Sequence, residues 1–179
     1  MKEYKYPTEQ EWGEIIIRPH LDTSKLNETV AGVLSEIRHE GDAAVRKYEQ
    51  MFDHVVLDSL QVTKEEIDAA VASVDSELLD ALKLAHANIH KFHSSQHISP
   101  KRVTTAPGVE CWQKCVAIEK VGLYIPGGTA PLFSTVLMLA TPARIAGCGE
   151  IVLCTPPDRE GHINPAILAA AHVAGVDKI

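Results

Sequence analysis

The densest candidate chemistry lies in Tyr124-Ile125-Pro126-Gly127-Gly128-Thr129-Ala130-Pro131. Its glycines let backbone N–H groups approach a phosphate, and a helix expected from Ser134 adds a favourable dipole. Tyr124 stands at the carboxyl end of a short apolar strand, where ligands of open α/β sheets bind. There it can pack against a nucleotide ring or hydrogen-bond to it. The pattern is neither G-x-G-x-x-G nor G-x-x-x-x-G-K-[ST]. No clear ribose-binding carboxylate follows, although Glu150 lies near the expected spacing. On these residues alone a ligand loop and a structural turn fit equally well.

A second set is His86, His90, His93 and His97. At 100° per residue they share a helical stripe roughly 60° wide. Spacings of i, i+4 and i, i+3 can bind zinc, or nickel adventitiously. No carboxylate accompanies them at a fixed position, so they read as the border between an apolar stripe and solvent. Cys111 and Cys115 are also i, i+4, but on an expected strand their sulfurs lie roughly 13 Å apart, too far for one zinc. Cys148 and Cys154 lie among apolar residues and read as buried small hydrophobes. Asp177-Lys178 reads as a solvated turn, and His39-Glu40 as a helix end. There is no serine nucleophile elbow and no basic stripe with aromatics.

The elements that must position these residues follow from periodicity. Leu26, Val30, Val33, Leu34 and Ile37 predict a helix capped by Ser24 and stopped by Gly41. Asp42 is placed to cap a helix carrying Val45, Tyr48 and Phe52. Asp53 to Val62 reads as a connection with one or two short strands. Thr63 and Glu66 form a capping box ahead of a helix to about Ser73. Another helix is expected from Asp75 to about His97, with Leu78, Leu82, Ala85, Ile89 and Phe92 as its apolar stripe. Arg102 to Ala106 and Val109 to Ile118 flank Pro107-Gly108 as a hairpin. Then come strand Val121–Ile125, helix Ser134–Ala146 bent at Pro142, strand Ile151–Cys154, and a helix from Asn164-Pro165 to Gly175. Strand–helix–strand–helix with buried strands implies a parallel sheet.

The fold class is thus α/β: a helical N-terminal part and a β-hairpin leading into an incomplete Rossmann-like parallel sheet. The expected division is 1–118, helical with the hairpin, and 119–179, the start of a Rossmann-like domain. Val176 to Ile179 looks like the start of a third strand, so the chain is expected to stop inside a βαβ unit, in preference to ending on a naturally short strand. The edge near Ile151–Cys154 is then exposed and prone to non-native pairing.

The 179 residues carry a formal charge of −7, with 45% hydrophobic and 23% charged residues. That composition excludes a disordered tail or a collagen-like chain. The acidic balance argues against nucleic acid or an anionic membrane as partner, and 5% aromatics against a base-stacking surface. No 18-residue apolar run is present and Met1 to Gln10 is polar, so a cytoplasmic location is expected.

The run from Val121-Gly122-Leu123-Tyr124 through Pro131-Leu132-Phe133-Ser134 to Leu139 resembles histidinol dehydrogenases. The resemblance continues through Pro142-Ala143-Arg144-Ile145-Ala146-Gly147-Cys148, Cys154-Thr155-Pro156-Pro157 and Ile163 to Ala171. Upstream it includes Glu40 to Ala44, Lys47-Tyr48, Phe52-Asp53 and Pro107-Gly108-Val109, so it covers nearly the whole chain. It implies a soluble NAD-dependent enzyme of histidine biosynthesis that oxidises L-histidinol through the aldehyde to L-histidine. It further implies zinc to hold the substrate, a Glu-His acid–base pair, and Rossmann-like domains in an intertwined homodimer. The family's NAD-contacting tyrosine maps onto Tyr124, with Pro126 and Gly127 adjoining. Family members are much longer, and their zinc ligands, Glu-His pair and most substrate contacts lie in the later part. The resemblance therefore implies no catalytic and no metal-ligating residue within these 179, and an N-terminal portion inactive alone. The stripe His86–His97 does not match the family's zinc site. The alternative is a stand-alone, non-enzymatic nucleotide-binding or regulatory α/β domain.

Overall fold

A computed structural model describes residues 2–18, 22–128 and 130–179. Two compact units emerge, Met1–Ala44 and Val45–Ile179.

In the first unit, α1 (Glu9–Ile15) opens on a capping box in which Glu11 accepts from the backbone and hydroxyl of Thr8. Helix α2 (Ser24–Glu40) starts at the expected cap residue itself, one residue earlier than expected. Thr23 holds the N-cap position, while the Ser24 backbone and hydroxyl both donate to Asp22. A carboxylate two residues upstream is the stronger acceptor for that N–H, which draws Ser24 into the first turn. Gly41, at φ +60°, ends α2. The expected stripe is present, but Leu26, Val30 and Leu34 remain exposed and α2 buries no residue completely.

Helix α3 (Asp42–Tyr48) follows directly and passes into one π-helical turn, Glu49–Asp53, with Tyr48 stacked on Phe52. Asp42 is thus the first residue of α3, not a cap ahead of it. The connection to residue 62 contains no strand among its described residues, contrary to the sequence reading. Its carbonyls at Leu57 and Asp58 accept from the Arg46 guanidinium, and the Val62 N–H donates to the Ile179 carbonyl. Backbone groups satisfied in this way need no ladder partner.

Helix α4 (Lys64–Ser73) begins on the expected capping box: Thr63 Oγ1 accepts from Glu66 N, and Glu66 accepts from Thr63 N at 2.7 Å. Helix α5 (Ser76–Ser94) is capped by Asp75 and ends three residues before His97. Leu82 is buried and Leu78, Ala85 and Ile89 pack on the core, whereas Phe92 is exposed. The hairpin is β1 (Val103–Ala106) with β2 (Val109–Cys111), so its second strand stops well short of Ile118. Both strands are exposed throughout, and no buried face sustains the pairing further.

Strand β3 (Lys120–Tyr124) pairs in parallel with β4 (Glu150–Cys154), Val121 opposite Ile151 and Tyr124 opposite Cys154. Between them α6 (Phe133–Ile145) runs without interruption past Pro142, and α7 (Pro165–Ala174) follows β4. Asn164 caps α7, with Pro165 in its first turn and Gly175 left-handed at φ +70° behind it. Strand burial is one-sided. Ile151 and Leu153 are buried and Val121 and Leu123 half-buried, but Lys120, Gly122 and Tyr124 are exposed. The sequence reading of fully buried strands is corrected on this point: the helices cover one face. The core joins Val136, Leu137 and Ala140 of α6 with Leu153, Leu82 and the α7 run Ala169-Ala170-Ala171. Each of the larger aliphatics contributes about 1.5–3 kcal/mol by leaving water.

The final residues do pair. Asp177 N and Lys178 N donate to Ile151 O, Leu153 N donates to Lys178 O, and Val152 and Lys178 form a parallel bridge. The expected bare edge on Ile151–Cys154 is therefore occupied by the chain itself. Nor is Asp177 part of a free solvated turn. Its carboxylate accepts from Ile151 N at 2.7 Å and from Arg144 Nη2 at 2.8 Å, while Arg144 also donates to the Gly175 carbonyl. The Ile151 N–H, foremost, holds the Asp177 carboxyl below its ordinary value of 3.8. Asp177→Ala is expected to cost about 1–3 kcal/mol, because it strips a buried residue's N–H of its acceptor. Because the native pKa is depressed, this contribution is present above the unfolded value and is lost as pH falls through the native one. Urea unfolding of Asp177→Ala against pH checks both points: the variant should be weaker near neutrality and show less acid sensitivity.

Candidate functional site

The polypeptide leaving β3 is held by its neighbour before it turns. Ile125, wholly buried, donates its N–H to Cys154 O at 2.9 Å. Pro126, Gly127 and Gly128 then run along the carboxyl end of the strand pair. A Cβ on Gly127 would stand 2.7 Å from Pro156 Cγ, so only glycine lets this loop lie against the one that follows β4. Thr129 lies outside the described residues. A cavity of about 1400 Å³ opens here within the second unit. Its wall includes Pro126, Gly127 and Gly128, then Thr155 and Pro156, with Glu49 and Glu66 across from α3–α4 territory.

Two helices begin at this end. Helix α7 is satisfied by its own cap, Asn164 Oδ1 accepting from Ala166 N at 2.9 Å. Helix α6 has Leu132 at its N-cap and no side-chain cap. The loop and the α6 terminus thus offer backbone donors and the positive end of a helix dipole. That arrangement suits an anionic group such as a phosphate.

Of the loop residues singled out from sequence, Pro126 and Gly127 line the cavity. Tyr124 does not. It ends β3 on the open face of the sheet, 64% exposed. Glu150 begins β4 at the opposite end of the strand, near Lys178 at 3.2 Å and Lys120 at 3.8 Å, so it is no candidate for a ribose. Cys154 is exposed, not buried, since it falls on the uncovered face, whereas Cys148 is buried. Cys111 belongs to β2 but Cys115 lies outside any strand, so the strand spacing that separated their sulfurs does not apply. Among the described residues no three His, Cys, Asp or Glu side chains gather as a metal site. The histidine stripe is shortened, because α5 ends at Ser94 and leaves His97 beyond it.

Sequence reasoning missed Glu49. Its Oε2 is buried without a hydrogen-bond partner, on the π-helical turn, beside the cavity. Burial first, and Asp53 second, push its carboxyl above the ordinary 4.5. No periodicity signals a π turn, and the only trace in the sequence is the continuation of helical spacing past Tyr48. By contrast Glu66 is held low by the Thr63 N–H and hydroxyl.

The family model for histidinol dehydrogenase matches residues 16–179. Histidinol dehydrogenase of Bacteroides thetaiotaomicron is 59% identical over 179 residues, all of this chain and 42% of that protein. Histidinol dehydrogenase of Salmonella typhimurium is 48% identical over 166 residues, 92% of this chain and 37% of that protein. The crystal structure of histidinol dehydrogenase from Elizabethkingia anophelis superposes with a TM-score of 0.90 at 46% identity, over 95% of this chain and 39% of that one. The chain thus spans about two-fifths of the length of the relatives it matches.

Gly127→Ala is expected to destabilise the chain by about 1–3 kcal/mol, the usual cost of overpacking, read as a lowered thermal midpoint. Glu49→Gln is expected to do the reverse near neutral pH. A raised native pKa stabilises below the unfolded value and loses that contribution as pH rises through the native one. Urea midpoints measured from acid to neutral pH should fall in the parent chain across that window and stay flatter in Glu49→Gln.

Proposed function

Because this chain belongs to the histidinol dehydrogenase family, we propose that it forms part of an NAD-dependent enzyme oxidising L-histidinol to L-histidine through the aldehyde. The observation that carries the reading is the family match over residues 16–179, joined to a cavity at the carboxyl ends of two parallel strands. On this reading residues 119–179 open the dinucleotide-facing domain. The backbone of Pro126, Gly127 and Gly128, with the uncapped start of α6, cradles the phosphates. Tyr124 meets the cofactor from the neighbouring open face. When bound, NAD supplies the hydride acceptor. The residues of this chain bind and orient it: glycine backbone approaches the anion closely, and Pro156 fixes the path of the loop.

Zinc is different. The described residues gather no set of three ligands, so no step through zinc is assigned to this chain. The zinc ligands and the acid–base pair belong, on this proposal, to the remainder of the enzyme. The proposal also includes a cytoplasmic homodimer. No helix among the described residues is long and apolar enough to cross a membrane.

The test is NADH formation from L-histidinol. A protein carrying this chain at the full length of its relatives is expected to turn over, and the 179-residue chain alone is expected not to. Turnover by the chain alone would sink the placement of the chemistry outside it. In the full-length protein Tyr124→Ala is expected to raise the KM for NAD about two- to tenfold, corresponding to about 0.5–1.5 kcal/mol of lost ring contact. An unchanged KM removes Tyr124 from the cofactor site.

A further inference from the structure

Away from the cavity, α5 carries three histidines, and their surroundings differ. His93 Nδ1 contacts Gln96 Oε1 at 2.8 Å and its ring stands edge-on to Phe92, so it is already engaged. His86 and His90 face each other one turn apart, with ring centroids 6.0 Å apart. Two imidazoles on one tetrahedral zinc, each bonded at about 2.0–2.1 Å, place their ring centroids about 5 Å apart. The observed pair is under one such bond length from that value, and rotation about the side-chain torsions can close the gap.

Three further features prepare the pair. The Ser94 hydroxyl contacts His90 Nδ1 at 3.2 Å, so the ring nitrogen left for a metal is Nε2. A ligating histidine commonly has its second ring nitrogen held in this way. Partial burial, and then the neighbouring His90, lower the His86 pKa, so the neutral ring that ligates a metal is favoured. The nearest cation on the preceding turn, Lys83, is paired with Asp80 at 3.1 Å.

We propose that His86 and His90 form an open two-imidazole site on α5 for a divalent first-row transition ion of the nickel–copper–zinc series, with water completing the coordination sphere. It stands apart from the dinucleotide cavity, and it does not depend on the function proposed above. Neither the geometry nor the ligand count makes it a closed structural site.

The experiment titrates the reduced 179-residue chain with Zn2+ and, separately, Ni2+, in a buffer that does not chelate. Calorimetry gives affinity and stoichiometry, and histidine ring-proton NMR gives location. One equivalent is expected, with the His86 and His90 ring signals moving. His86→Ala and His90→Ala should each weaken binding at least tenfold, His97→Ala should leave it unchanged, and Ser94→Ala should weaken it several-fold. Circular dichroism verifies that the variants remain helical, and a metal-induced rise in Tm should appear in the parent and vanish in His86→Ala/His90→Ala. Tight binding that survives this double variant overturns the proposal. So does binding lost only on replacing Cys111, Cys115 and Cys154 by serine, or no saturable uptake of either ion.

Discussion

Ala169, Ala170 and Ala171 are wholly buried, and α4, α5 and α6 all pack against the helix that carries them. Small side chains let helices approach closely, and close approach maximises dispersion contacts while adding little side-chain entropy cost. A bulkier residue there would push apart three neighbours together. The strand pair depends on the same packing. Two parallel strands do not hold together unaided, and β3–β4 is stable because Leu153 is buried in one cluster with residues of α6 and α7. The loop at the carboxyl end of the sheet, with its cavity, is thereby suspended from this helical layer.

Much of this was legible in the residues. Thr63 and Glu66 announce their capping box, Asn164-Pro165 and Gly175 bracket α7, and the apolar blocks mark β3, α6 and β4, because each of these signals is local. The failures share a cause. The Asp53–Val62 stretch has strand-like composition, but its carbonyls are claimed by Arg46 and its last N–H by Ile179. Val109 to Ile118 alternates like a strand, yet its ladder with β1 ends at Cys111 and both strands are exposed. Ser24 looks like a cap until Asp22 takes its N–H. Each outcome was decided by a partner whose position only the folded chain supplies. Cys154 shows the same for burial: apolar neighbours in sequence do not reveal which face of the sheet is covered.

The candidate site was legible in type more than in arrangement. The glycine-rich loop and its place between strand and helix are plain from sequence, and the family resemblance rests largely on it. That Gly127 is required by Pro156, a residue of the next connection, is not visible in any local pattern. Neither is the division of Tyr124 from Pro126 and Gly127. Tyr124 leaves the strand on its uncovered face, Ile125 one residue on is buried, and the chain then turns along the cavity. Glu49 is the converse case, an ordinary acidic residue in a helical run that becomes unusual only because the helix widens by one residue and hides its carboxyl oxygen.

The bond from the Val62 N–H to the Ile179 carbonyl has a consequence for how the molecule comes into being. Residues made early in the second unit find their partner only at residue 179, and Asp177 and Lys178 complete β4 in the same interval. A nascent chain emerging from the ribosome can form α4 and α5 locally as it goes. It cannot close this unit until residue 179 is outside. Until then the apolar faces of α5, α6 and β4 wait uncovered, so this unit is most open to misassociation in the interval before residue 179 emerges.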